Sequence, residues 1–269
     1  GPPAGGGAAG AGTGAGGDGG VGGCDSIRPP APPTQSDPGP DDVDFVVAVY
    51  SVDFGEDFDP LTDMGPEVGY DLDRECTCID GGPGSCVPVG NNPIDCDGPR
   101  GRDNAVARVF NNLSLFFNDS FDSTYNTSRA QGGDWTLLVR VMDYNGQAND
   151  DGVRVAIYPS PGRDDDPCIP SQTPNWDGTD VWPVDAYAIE GYSGSGGGAG
   201  SGGSGGSANC GAAGPGLPLD LDQPAFLSTA GYVTGSVLVA DLPRTSLVLS
   251  SSTSITEVKL VGGFVTAHL

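Results

Sequence analysis

The sequence predicts a mainly β protein, a β-sandwich or jelly-roll-like domain carrying one amphipathic helix. Three observations predict it. Short valine-rich runs with partial alternation recur along the chain; Gly, Pro, Asp and Asn bound them; and one segment alone shows helical spacing of its apolar residues.

Residues 1–42 come first, and they read as a disordered Gly/Pro-rich tether. Gly1–Gly23 is more than half glycine and Pro29–Pro40 is rich in proline and polar residues, so neither has the apolar surface to offset the entropy of ordering it. Residues 43–269 are then one domain. Its first strand is Asp44–Phe54 (DFVVAVYSVDF), followed by a helix in RDNAVARVFNNLSLFFNDSF. There Val106, Val109, Phe110, Leu113, Phe116 and Phe117 fall on one helical face, and Asp103 suits the N-cap. Thr136–Met142 and Val153–Tyr158 read as a strand pair, and Ala186–Tyr192 as a further strand. A flexible Gly/Ser loop occupies 193–207. Strands at Gly231–Ala240, Ser246–Ser250 and Thr256–Leu269 complete the set. The final strand-like run has no closing turn, which suggests a domain continuing past Leu269.

Charge narrows the function classes. The net charge is −25, from 36 acidic and 11 basic residues, and Lys259 is the only lysine. Such a chain repels phosphate backbones and anionic membrane surfaces, which argues against nucleic-acid binding. No apolar run is long enough for a transmembrane helix, so membrane tethering would need a leader outside this sequence.

Seven cysteines suit an oxidising compartment. Cys76, Cys78, Cys86 and Cys96 lie close together without CxxC spacing or a nearby histidine, so two disulfides fit better than zinc. Cys168 and Cys210 flank the second glycine tract and could close it, which leaves Cys24 over. The connectivity is open.

Three segments carry candidate sites. In DYNGQANDDGVRV, Asp143, Asn145, Asn149 and Asp151 supply oxygens for calcium, but an EF-hand fails because its sixth and twelfth positions are Ala148 and Arg154. Asn145-Gly146 and Asp151-Gly152 favour a plain hairpin turn instead. In GYDLDREC, Asp71 and Asp73 are one residue apart and would point the same way on an extended segment. Asp97, Asp103 and Asn104 follow the cysteine-rich stretch, and disulfides would draw the two groups into one calcium site, the alternative being Asx-turns and a helix cap. In PNWDGTDVWPVD, Trp176 and Trp182 could form a sugar platform with Asp177 and Asp180 accepting hydroxyl bonds, or fill the core.

Catalysis finds little support. His268 is the lone histidine, no GxSxG motif is present, and the glycine tract lacks a P-loop lysine. Together GYDLDREC, CDGPRGRDNAV, DYNGQANDDGVRVAIYPSPG and WDGTDVW resemble segments of uncharacterised secreted or lipoprotein-type surface proteins of high-GC Gram-negative bacteria. The resemblance spans roughly Asp44 to the C-terminus. It implies an exported location (extracellular, cell-surface or periplasmic), a leader upstream of Gly1, and no known activity. The expectation is a non-enzymatic surface or envelope module that binds an extracellular ligand, a polysaccharide or a surface protein, with calcium as structural cofactor. A carbohydrate-binding or carbohydrate-active domain, or a purely structural surface protein, are the alternatives.

Overall fold

A computed structural model describes residues 26–55, 68–74, 97–104, 106–107, 109–111, 122–163, 173–191, 220–250 and 255–269. The chain is mainly β, as its residue pattern predicts. Six strands, β1 (Val43–Ala48), β2 (Thr136–Tyr144), β3 (Asp150–Ser160), β4 (Leu227–Thr234), β5 (Val237–Ser250) and β6 (Ile255–His268), form one open, curled antiparallel sheet. Their order is β1-β2-β3-β4-β5-β6, so every strand pairs with its sequence neighbour. This corrects the sandwich or jelly roll: among the described residues there is one meander, without Greek-key crossing or a second sheet.

Alternation explains the two apolar faces. On β2 and β3, Val141, Val153 and Val155 share a cluster with Tyr144, Val233, Leu238 and Ala240. The intervening Leu138, Met142, Ala156 and Tyr158 join Ala188, Ile189, Phe226 and Leu242, and Ile157 departs from the alternation by packing with them. Such double-sided burial reads in sequence as near-continuous apolar runs rather than strict alternation. The β2–β3 hairpin is regular from Thr136↔Ser160 to Met142↔Arg154. β4 turns into β5 at Gly235 and Ser236, whose φ values of 56° and 63° are those a tight two-residue hairpin demands. The run expected as a single strand over 231–240 is therefore two.

Helices differ from expectation as well. Residues 106–107 and 109–111 are helical, with Phe110 buried against Phe54 in an edge contact at 4.6 Å. Leu113, Phe116 and Phe117 lie outside the described residues. The cap is Asn104 rather than Asp103, since the Asn104 carboxamide oxygen accepts from the Ala107 N–H at 2.9 Å. A second helix, α1 (Ser123–Gly132), had not been expected. Asp122 caps its start, accepting from the Tyr125 N–H at 2.6 Å, and Gly133 ends it at φ 99°. Ala186–Ala188 is a short 3-10 turn instead of a strand.

Part of the segment expected to be a disordered tether is packed. The Asp37 N–H donates to the Asn149 carbonyl, Tyr232 Oη donates to the Pro30 carbonyl, and Ile27 pairs with Asp71 and Arg100. Residues 1–25 and the Gly/Ser loop at 193–207 lie outside the described residues. The expected disulfide framework is corrected too. No disulfide is present among the described residues, and Cys24, Cys76, Cys78, Cys86, Cys96, Cys168 and Cys210 all lie outside them. The contacts that join Asp71 to Asp103 come from backbone pairing instead. Among the described residues, no helix is long and apolar enough to cross a membrane.

Candidate metal centre

The path from the sheet to the site is continuous. Leaving β1, the Val52 N–H donates to Thr127 Oγ1 and the Phe54 N–H to Ser123 Oγ, which lays the chain along α1. Asn104 Nδ2 then donates to the carbonyls of Phe54 and Val68, at 3.1 and 3.0 Å. Asn104 is thus a clamp holding two loops and a helix start, and its oxygen is already used.

Beside it, Tyr70 and Asp103 form an antiparallel bridge, with the Asp103 N–H donating to the Tyr70 carbonyl at 2.8 Å. Only glycine permits that approach at position 69, where φ is 126° and a Cβ would sit 2.8 Å from the Asp103 carbonyl oxygen. One oxygen of Asp103 accepts from the N–H groups of both Leu72 (2.8 Å) and Asp73 (3.2 Å). Asp71 Oδ1 accepts from the Arg74 N–H at 2.6 Å, closing a turn. Asp71 and Asp73 therefore converge through a turn, with Asp71 buried and Asp73 exposed, and not through the alternation of an extended strand.

The result is a triad. One carboxylate oxygen from each of Asp71, Asp73 and Asp103 lies within 4.8 Å of the others. Asp71 is its buried member, with no side-chain exposure, and Asp71 Oδ2 has no hydrogen-bond partner among the described residues. Arg28 Nε stands 4.0 Å from that oxygen, beyond hydrogen-bond range. Hard carboxylate oxygens in this density suit a divalent cation of the calcium or magnesium type. Asp97 is buried and engaged elsewhere, outside the triad.

The hairpin loop is organised differently. Asp143 pairs with Arg154, which holds its carboxyl below the usual range. Asn145 Nδ2 donates to the carbonyls of Asp37 and Asn149, while its oxygen accepts from the Gln147 N–H. Asn149 donates to Asp37 Oδ2 and Asp151 accepts from Ser36 Oγ at 2.6 Å. Asn145, Asn149 and Asp151 thus dock the arm and close the turn, while Asp143 pairs across the strands with Arg154. The residue missed in the sequence is Asp150. It is buried, and its two oxygens accept from the N–H groups of Asn145 and Gly152.

In the tryptophan segment, Trp176 and Trp182 are both half-buried. Trp176 and Trp182 lie 5.4 Å apart at 48°, Tyr50 meets Trp176 edge-on at 4.9 Å, and the Arg163 guanidinium covers Trp182 at 5.6 Å. The two indole planes are thus tilted against each other rather than coplanar. The Asp180 side chain is only 6% exposed, accepting from Arg163 and from the N–H groups of Asn175 and Trp176. Burial works against its charge, but those donors outweigh it and keep its carboxyl below the ordinary range. Asp177 closes a turn onto Thr179. Trp176 Nε1 donates to the Gln131 carbonyl, fixing the ring to the end of α1.

No family model matches the chain, and comparison with curated proteins and with solved structures found no match either.

Proposed function

We propose that this protein is a non-enzymatic, exported surface or envelope module whose triad Asp71–Asp73–Asp103 holds a divalent cation, calcium, as a structural cofactor. One observation carries the reading: three carboxylates converge, and the buried one, Asp71, has an Oδ2 with no hydrogen-bond partner among the described residues. Gathering three negative charges costs stability unless something positive joins them, and a buried acceptor without a donor costs more. A cation answers both. An extracellular setting suits such a site, because calcium there is abundant enough to fill even a weak one. The partner is a polysaccharide or another surface protein, reached by faces the cation helps to order.

Thermal unfolding of the full chain in millimolar calcium, then in excess chelator, tests the reading. At about a hundredfold excess over the dissociation constant, bound calcium adds about 2.7 kcal/mol and raises the melting temperature by several degrees. Coincident curves would overturn it.

A further inference from the structure

Resting on the cation reading, we propose that Arg28 is a built-in counter-ion of the triad which an incoming divalent cation displaces. Cation binding and docking of the arm's first described residues then oppose each other. Asp71 is the shared element. Its N–H donates to the Ile27 carbonyl at 2.7 Å, and the Ile27 N–H donates to the Arg100 carbonyl at 3.0 Å, so Arg28 is delivered by a segment paired to the site itself. Its Nε lies 4.0 Å from Asp71 Oδ2, close enough for Coulomb attraction but too far for a hydrogen bond. In the cation-free protein one guanidinium thus offsets only part of the triad's charge, while the buried oxygen has no donor among the described residues.

The guanidinium is well placed to leave. The Arg28 side chain is 40% exposed, so it can swing into water without stranding a buried charge. A cation taking Asp71 Oδ2 as a ligand would lie within a few ångströms of the guanidinium and repel it. Two residues on, the Pro30 carbonyl accepts from Tyr232 Oη and anchors the arm to the sheet. Loosening is therefore confined to residues 26–28. Linkage makes the effect reciprocal: whatever weakens the Arg28 contact strengthens cation binding by the same factor.

The test is calorimetric titration of the full chain with calcium chloride, comparing the natural sequence with Arg28→Gln, Arg28→Ala and Arg28→Lys. Both neutral variants should bind about three- to tenfold more tightly, by an amount that shrinks as salt is raised, while Arg28→Lys stays near the natural affinity. Equal or weaker binding by a folded neutral variant overturns the proposal and leaves the cation site standing. If the natural chain takes up no calcium but the neutral variants do, the guanidinium is a stronger lock than supposed and the proposal holds. If no variant binds, both the site and its counter-ion fall. Hydrogen exchange supplies an independent reading: the Ile27 amide should exchange faster in calcium, and slower exchange would count against displacement.

Discussion

Two acidic loops of similar composition end in opposite electrostatic states. At the β2–β3 hairpin, Asp143, Asp150 and Asp151 each find a donor: Arg154, the loop's own N–H groups, and Ser36 from the arm. At the triad, Asp103, Asp73 and one oxygen of Asp71 are engaged, yet three carboxylates still crowd within 4.8 Å and Asp71 Oδ2 has no donor among the described residues. The difference teaches that density of carboxylates does not by itself make a cation site. What matters is whether nearby N–H groups and guanidinium groups use up the oxygens first.

The sharpest way to break that contrast is Asp150→Ala. It strands the buried N–H of Asn145 and frees that of Gly152, so denaturant unfolding should show a loss of about 3 kcal/mol. The calcium response should survive unchanged. If calcium stabilisation disappears with it, the two loops are one site and the contrast is false. Next in size is Asp71→Asn. In chelator it should leave stability level or slightly raised, because a buried charge is removed while the carboxamide oxygen can still accept from the Arg74 N–H. In calcium the variant should lose the full gain of about 2.7 kcal/mol.

Acid titration in chelator is smaller again, and its sign can be worked out. Hydrogen bonding from Arg140 lowers Asp44, bonding from Arg154 lowers Asp143, and the donors around Asp180 outweigh its burial. Their stabilisation is present above the ordinary carboxylate range and is lost as pH falls through the lower folded values, on the order of 1 kcal/mol for each exposed pair. Asp185 runs the other way. Burial raises it, so its contribution is present in acid and is lost as pH climbs past the ordinary value. A melting temperature that rose steadily below pH 4 would contradict this balance. The smallest effect belongs to Asp143→Ala. Both Asp143 and Arg154 are about two-fifths exposed, and the change should cost less than about 1 kcal/mol by urea unfolding.

Much of the sheet was legible. The strand-like runs at 136–142, 153–158 and 256–269 correspond closely to β2, β3 and β6, because valine-rich runs bounded by turn residues leave few alternatives. Gly235 and Ser236 concealed a turn within one such run, since Gly-Ser is a weaker turn signal than the Asn-Gly that marked the other hairpin. α1 was missed although Asp122 and Gly133 mark both its ends. Its apolar periodicity is almost absent, and it is held by caps and by Trp135 Nε1 donating to the Asn126 carbonyl. At the site, the pairing of Asp71 and Asp73 with Asp103 was legible as an acidic constellation. Its geometry was not, because the Tyr70–Asp103 bridge and the Ile27 contact join segments far apart in sequence. The arm was unreadable for the same reason: proline-rich composition does not reveal that Asp37 has two asparagines waiting for it.

The sequential order of the strands has a consequence for how the chain assembles. β2–β3, β4–β5 and β5–β6 are each separated by five residues or fewer, whereas residues 49–135 separate β1 from β2 and residues 161–226 separate β3 from β4. Closing a long loop costs entropy before any pairing repays it, so these three local pairings form first and β1 zips on late. By the same logic, β1 is the strand that departs first when the folded protein breathes. The arm and the acidic triad, threaded through the connections on either side of β1, are then assembled last and loosen earliest.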